Sequence, residues 1–362
     1  MKKEKTFIIG HKNPDTDSIC SAIAYADIKS RTSKGSFVAR RAGQINEETE
    51  FVLKYFHMDA PAYLPDVGTQ VKDMDIHMTP GAEKSMSVKR AWNLMREHNA
   101  VTLPITDKEG MLEGIITTGD IATSYMDAYD STLLSEARTQ YRSIADTLDG
   151  QVLVGNEHGY FIKGKVLVGS AHPDMMESYI ESDDMVILAN RAEDQLCAIE
   201  NNASCLIICL GAKVSQTIQR LAAERECVII TTPYDTFTVA RLIYQSIPVK
   251  YFMKKDNLIT FRSDDFTDKV KEVMTKNRYR AFPVVDKRGK YIGTVSRRNL
   301  LNIKKKKLIL VDHNEKSQAV DNIDEAEILE IIDHHRIGSL ETFQPVMFRN
   351  QPVGCTATIM YQ

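Results

Sequence analysis
The sequence lacks any apolar run approaching the ~20 residues that a membrane-spanning helix needs. It also lacks net charge: 46 Lys and Arg stand against 49 Asp and Glu, leaving −3. With no field of one sign, neither nucleic acid nor a membrane surface is an expected partner. Its six cysteines, at 20, 197, 205, 209, 227 and 355, form no CxxC pair. That argues against a zinc ribbon or a dithiol redox motif. Cys205 and Cys209 sit in the apolar stretch SCLIICLG and read as buried thiols. The opening MKKEKTFIIGHKNPD begins like a signal peptide, but its apolar run is too short. A cytoplasmic location is therefore expected. The single tryptophan, Trp92, and the methionines around it read as core residues.

What is present is an ordinary soluble composition: 362 residues, 43% apolar and 26% charged. At ~100–200 residues per domain this predicts two or three domains. TFIIG reads as a buried strand and SICSAIAYADIKS as a helix with Ser18 as its cap. SFVARRAG and NEETEFVLKYF give a further strand and helix, a βαβα start that points to a parallel sheet.

From Asp66 the pattern changes, and it returns much later. SVKRAWNLMREHN matches DFTDKVKEVMTKN, and LPITDKEGMLEGIITTGDI matches FPVVDKRGKYIGTVSRRNL. An internal repeat of this kind organises the whole chain. The copies flank a middle segment of about 120 residues, the size of a small domain. That middle carries strand-like runs QVLVG, DMVILAN, CLIICLG and CVIITT. After the second copy come KKKKLILVDHNE and AEILEIIDHHRIG, again apolar strands that end in Asp and His. One α/β domain therefore begins at the N-terminus, is interrupted by about 240 residues and resumes near Lys305, as insertion at an exposed loop permits. Lys304 to Lys307 read as a solvated linker.

In GHKNPDTDS, residues His11, Asn13, Asp15 and Asp17 are two apart, so an extended segment presents them on one face. Imidazole, amide and carboxylates together suit Mn²⁺, Co²⁺ or Mg²⁺ better than a thiolate-loving metal. A surface loop of turn residues is the plainer account of that segment alone. Val311–Asp312 and Ile332–Asp333–His334–His335 end two further strands. In open α/β sheets, sites form at the carboxyl ends of strands. Asp312 has two oxygens and can bridge two ions, a clamp suited to phosphoryl transfer. His334 and His335 as satisfied core histidines is the competing account.

HKNPDTDS, LVDHNE and IIDHHR resemble the signature segments of the DHH phosphoesterase superfamily, and more narrowly of family II inorganic pyrophosphatases. The resemblance implies hydrolysis of pyrophosphate to two phosphates, with Mn²⁺ or Co²⁺ at two sites and Mg²⁺ accompanying the substrate. It implies that His11 and Asp15 bind one ion, that Asp17 and His334 bind the other, and that Asp312 bridges. His335 would face the phosphate as a hydrogen-bond donor or acid, and Asn13, His313 and Asp333 would orient the ligands. The family also has a further aspartate about fifty residues past the DHH segment and a basic C-terminal domain. The sequence ends at Gln362, 27 residues after His335, where PVGCTATIMYQ looks like the start of a helix. Truncation at the C-terminus is the expectation. Another DHH phosphodiesterase, or an adenine-nucleotide sensor with an incomplete catalytic half, remain alternatives.

The repeated segments resemble CBS domains, which pair and bind adenine nucleotides. In the first copy the strand of Gly114-Ile-Ile-Thr-Thr-Gly-Asp120 ends at Thr117. Its hydroxyl then lies at a helix N-terminus, a ready phosphate site, with Asp120 able to accept ribose hydroxyls. The second copy offers Ser296 and has Asn299 in place of the acid, so its ribose contact differs, and Arg297 and Arg298 add positive charge near phosphates. Tyr279 stacks on adenine or simply packs. The middle segment, ending in TTPYDTFTVARLI, resembles the DRTGG domain, with Tyr234, Asp235 and Thr236 as turn and cap residues. The resemblance implies regulation by AMP, ADP, ATP or diadenosine polyphosphates, and a homodimer. The fold class is α/β: a DHH-type parallel-sheet domain interrupted by a CBS pair flanking a DRTGG-like α/β domain. Its expected segments are 1–65, 66–127, 128–247, 248–304 and 305–362.

Overall fold
A computed structural model describes residues 5–126 and 130–362. The chain divides into two compact units, Met1–Ile76 with Phe261–Arg278 and Val295–Gln362, and His77–Thr260 with Tyr279–Thr294.

The first unit is built on a six-stranded sheet. Its strands are β1 (Lys5–Ile9), β2 (Ser36–Arg41), β3 (Ala62–Tyr63), β4 (Lys307–Val311), β5 (Glu327–Asp333) and β6 (Met347–Asn350). Their spatial order is β6-β5-β4-β1-β2-β3, and every pairing is parallel. Strand β1 pairs β4 from Thr6↔Lys307 to Ile9↔Leu310, so the two distant pieces of sequence form adjacent strands. Parallel neighbours need crossovers on the sheet faces. These include α1 (Thr16–Thr32) and α2 (Glu47–Tyr55), followed in the chain by α3 (Thr267–Lys276) and α4 (Thr356–Tyr361). Ile8, Ala22, Ala26, Ile309 and Val311 close one core, and Ile9, Leu308, Leu310 and Ile331 belong to another. Glu330 on β5 ties α1 to the sheet, bonded by Lys29 Nζ at 2.5 Å and by the Tyr25 hydroxyl at 2.6 Å.

The chain leaves this sheet and returns to it at one place. Val67 N donates to Asp321 O at 3.0 Å, and Asp321 N to Pro65 O at 3.2 Å. Lys306, expected in a solvated linker, instead reaches Gly68 O at 2.7 Å and Asp73 Oδ2 at 3.1 Å. Its side chain is 14% exposed. Lys307 is the first residue of β4. Like-charge repulsion marks a run as solvated only where no backbone carbonyl or carboxylate waits for a member of it, and here both do.

In the second unit, the hairpin Thr102–Thr106 with Leu112–Thr117 pairs antiparallel and is preceded by the helix Val88–Glu97. Val88, Ala91 and Met95 of that helix are buried, whereas Trp92 is 41% exposed. The indole lies at the border of the buried face and lines a cavity of about 420 Å³ together with Ile121, Tyr125 and Tyr244. The reading of Trp92 as core is thus corrected. The middle segment forms a five-stranded sheet. Strands Val166–Val168, Met185–Leu188, Cys205–Ile208 and Val228–Thr231 run parallel, and Gln151–Val154 joins antiparallel. Cys205 and Cys209 are fully buried. Asp235 caps the helix Thr236–Leu242 by accepting from Thr238 N.

Ile309 is fully buried in the central strand of the first unit. Ile309→Ala should destabilise that sheet by about 2–5 kcal/mol. The measurement is amide hydrogen exchange, which should lose protection across residues 5–9 and 307–311.

Candidate metal centre
Because β1, β4 and β5 are neighbours and parallel, their carboxyl ends open side by side. The segment after β1 is not the extended ladder read from the sequence. Asp15, rather than Ser18, caps α1, accepting from Ser18 N at 2.9 Å. Asp17 is already helical. The alternation rule fails because α1 begins at Thr16, so that His11 and Asp15 meet across a turn instead of along a strand. Gly10 makes the turn possible: a Cβ there would stand 1.9 Å from the Oγ of buried Ser18.

Asp312 follows β4 with a left-handed backbone, φ +64°. Non-glycine residues in this region are uncommon and cluster at functional sites. Its side chain is 1% exposed, and Oδ2 has no hydrogen-bond partner. His11 Nε2 stands 3.4 Å from that oxygen and 3.7 Å from Asp15 Oδ1. On the other side, His334 Nε2 lies 3.5 Å from Asp312 Oδ1 and 3.8 Å from Asp17 Oδ2. Two donor groups result: His11, Asp15 and Asp312, and Asp312, His334 and His335, each with its ligand atoms within 4.8 Å of one another. Asp312 is common to both. Asp17 belongs to neither. Its Oδ1 accepts from Ser21 Oγ at 3.0 Å and Ala357 N at 2.8 Å, and its Oδ2 from Thr356 N at 2.6 Å.

The histidines are set by their second nitrogens. His334 Nδ1 is 3.0 Å from Val353 O, so it carries the proton and leaves Nε2 as a lone pair facing the carboxylates. His335 Nδ1 is 2.8 Å from Asp333 Oδ1, which likewise frees Nε2 on a half-exposed ring. Asp333 is fully buried and also receives His334 N at 2.8 Å, His335 N at 3.2 Å and the Asn314 amide. Burial alone would raise its carboxyl, but the His335 ring and these N–H groups bring it below the ordinary range. His313 is buried against Val311 O, and burial pushes its ring down to about 4, so it is neutral. It meets the His11 ring edge-on, centroids 6.4 Å apart. Burial holds the Asp312 carboxyl above its usual range. At His11 burial lowers the basicity, but Asp312, with Asp15 and the Asn13 backbone, offsets it, and the net shift is upward. Asn13 reaches the cluster through its backbone, which touches the His11 ring, while its side chain is exposed.

The donor set therefore fits a hard or borderline divalent cation. It combines imidazole lone pairs with carboxylate oxygens, one of them buried and unpartnered. Thr356, Asn314 and the Val353 carbonyl were not anticipated as partners of these ligands. Backbone acceptors carry no signal in sequence, and a threonine at a helix start reads as a propensity choice.

In the second unit, Thr117 N and Oγ1 donate to Asp120 Oδ2 at 2.8 and 2.7 Å. Lys254 Nζ lies 3.4 Å from Asp120 Oδ1 and 5.4 Å above the Tyr279 ring, so it joins a group that sequence had not included. In the first unit, Ser296 N and Oγ donate to Asn299 Oδ1, each at 2.7 Å, and Asn299 Nδ2 donates to Asp75 O. Arg297, expected to face a phosphate, instead spends its guanidinium on Met274 O and Asn277 O at the end of α3.

Fold and site together define an α/β chain with His and Asp gathered at parallel strand ends and a long inserted segment. Residues 74–127 and 249–306 match the CBS domain family, and residues 143–246 match the DRTGG domain family. Over nearly its whole length the chain is similar to proteins named as metal-dependent inorganic pyrophosphatases. It is 40% identical over 358 residues to the cobalt-dependent inorganic pyrophosphatase of Clostridium perfringens, covering 99% of this chain and 65% of that protein. It is 35% identical, with the same coverage, to a probable manganese-dependent inorganic pyrophosphatase of Thermotoga maritima. Among solved structures, the CBS and DRTGG regulatory region of the Clostridium perfringens pyrophosphatase, complexed with its activator diadenosine tetraphosphate, superposes with a TM-score of 0.60 at 36% identity. It covers 63% of this chain and 99% of that one. The chain thus spans about two thirds of the length of these relatives.

Asp333→Ala removes the acceptor of several buried N–H groups. It should cost on the order of 3 kcal/mol, since hydrogen bonds to a charged group contribute roughly 1.5–3 kcal/mol each and do not sum. Urea unfolding in the presence of a chelator measures this.

Proposed function
We propose that this chain takes part in the metal-dependent hydrolysis of inorganic pyrophosphate to two phosphates, under control of adenine nucleotides. The observation that carries the reading is Asp312, one buried carboxylate shared by two groups of His and Asp donors. His11, Asp15 and Asp312 hold one Mn²⁺ or Co²⁺, and Asp312 and His334 hold a second with Asp17 beside them. Bound there, the ions supply Lewis acidity toward a phosphoryl group, and Mg²⁺ accompanies the substrate. His335, its Nδ1 held by Asp333, faces the phosphate through Nε2 and donates a hydrogen bond or a proton to it only in the doubly protonated form of the ring. His313 packs the His11 ring in place, and the backbone at Asn13 restrains the same ring.

We assign residues 1–65 and 305–362 to the catalytic domain, 66–127 and 248–304 to the CBS pair and 128–247 to the DRTGG segment. The related regulatory region binds diadenosine tetraphosphate as an activator, which supports AMP, ADP, ATP or a diadenosine polyphosphate as the regulator here. Thr117, Asp120 and Tyr279, with Lys254, form the nucleotide contact of the first repeat. Ser296 and Asn299 form that of the second, with Arg297 bracing α3. A dinucleotide with two adenosines fits a pair of chains, so the working form is a homodimer. Among the described residues no helix is long and apolar enough to cross a membrane. All six cysteines are free, as suits the reducing cytoplasm.

Incubated with pyrophosphate and Mn²⁺ or Co²⁺, the protein should release phosphate in a colorimetric assay and leave dinucleotides uncut. Failure with every divalent ion, alongside intact nucleotide binding, favours the sensor reading instead. Asp312→Asn should lose tight binding of both ions by calorimetry. Unchanged binding of two Mn²⁺ rejects the bridging assignment. Asp120→Ala should weaken diadenosine tetraphosphate about tenfold, as loss of a charge-assisted bond of ~1.5 kcal/mol implies, with Mn²⁺ binding unaltered.

A further inference from the structure
Thr356 is the first residue of α4 and is fully buried. Its Oγ1 donates to Asp312 Oδ1 at 2.9 Å, and its backbone N–H donates to Asp17 Oδ2 at 2.6 Å. One residue thus grips two carboxylates that come from the two sequence pieces. Its hydroxyl also makes the oxygens of Asp312 unequal. Oδ1, on the His334 side, already carries a hydrogen bond, whereas Oδ2, on the His11 side, is buried with none.

We infer that Thr356 is a positioning residue for the metal centre: its hydroxyl fixes the rotamer of the bridging carboxylate and orders the filling of the two sites. This rests on the metal-centre reading above. A carboxylate oxygen has two lone pairs, so Oδ1 accepts the hydroxyl and still offers one pair to a cation. Without the hydroxyl, rotation about the side-chain torsion of Asp312 is unrestrained on that side, and both donor groups lose their common member together. With it, Oδ2 is the richer donor and His11, Asp15 and Oδ2 take the first ion. The backbone contact to Asp17 survives any side-chain change, so substitution at Thr356 isolates the hydroxyl.

The test is Mn²⁺ titration by calorimetry of the whole chain and of Thr356→Val, Thr356→Ala and Thr356→Ser. Hydrogen-bond partners of metal ligands typically govern affinity by 10–100-fold, and that loss is the result expected for Val and Ala. Serine, which keeps the hydroxyl, should restore affinity to within a few-fold. Far-UV circular dichroism and thermal midpoints in chelator check that each variant folds. Should valine not fold, the smaller alanine gives the same comparison. Two well-resolved Mn²⁺ steps in the native chain that merge or weaken without the hydroxyl support the inference. Native and alanine proteins binding Mn²⁺ alike overturn it while leaving the metal centre standing. No Mn²⁺ binding by the native chain overturns the metal centre itself, and the inference with it.

Discussion

Everything in the first unit depends on the parallel pairing of Thr6–Ile9 with Lys307–Leu310. Two short apolar strands, separated by most of the chain, must find one register. The separation itself is cheap, because loop-closure entropy grows only by about 0.6 kcal/mol for each doubling of length. The register is not left to the strands alone. The exit segment at 65–73 is tied to the return at 304–306 by Lys304 and Lys306, and to the connection after β4 by the Val67–Asp321 bond. Lys306, one position before β4, reaches back to Gly68 and Asp73 and so sets where the fourth strand begins.

From that pairing the chemistry follows with little further freedom. Placing β4 between β1 and β5 puts the residues just past Ile9, Val311 and Asp333 at one edge. A slip of two positions would bring Lys306 or Asp312 into a slot now filled by a buried apolar side chain, and it would carry Asp312 past the reach of His11. Core and site thus demand the same register. Burying Asp312 costs the carboxylate its water, which is why its carboxyl rises above the usual range. The protein answers with one hydroxyl on Oδ1 and nothing on Oδ2. A buried oxygen without a donor is expensive in an empty pocket and favourable beside a cation.

How much of this was legible depended on the kind of signal. The strands and the interruption were readable because apolar runs ending in Asp or His are local patterns, whereas the ligand roles of His11, Asp15, Asp312 and His334 came from the family resemblance. The arrangement of the N-terminal cluster was misread. Two-residue spacing implies one face only while the backbone stays extended, and Asp15 ends that by capping a helix. Arg297 was assigned to a phosphate from its charge, but the open carbonyls at the end of α3 lie closer. Trp92 was read as core, yet helical geometry puts it at the edge of the face that Val88, Ala91 and Met95 define. In each case residue type was visible, and the competing backbone partner or the exact angle was not.

The two repeats show how one substitution changes what a motif can do. Asp120 and Asn299 occupy the same step of the pattern, and both accept a hydroxyl and an N–H from the residue three before. Their remaining polar atoms differ. Asp120 keeps a second carboxylate oxygen, near the Lys254 ammonium, and it can accept hydroxyls from a sugar. Asn299 has an amide nitrogen in its place, already donated to Asp75 O. The first repeat thus keeps a carboxylate acceptor at this step, whereas the second presents a donor that is already occupied. The two repeats, alike in outline, therefore differ in hydrogen-bond capacity at this step.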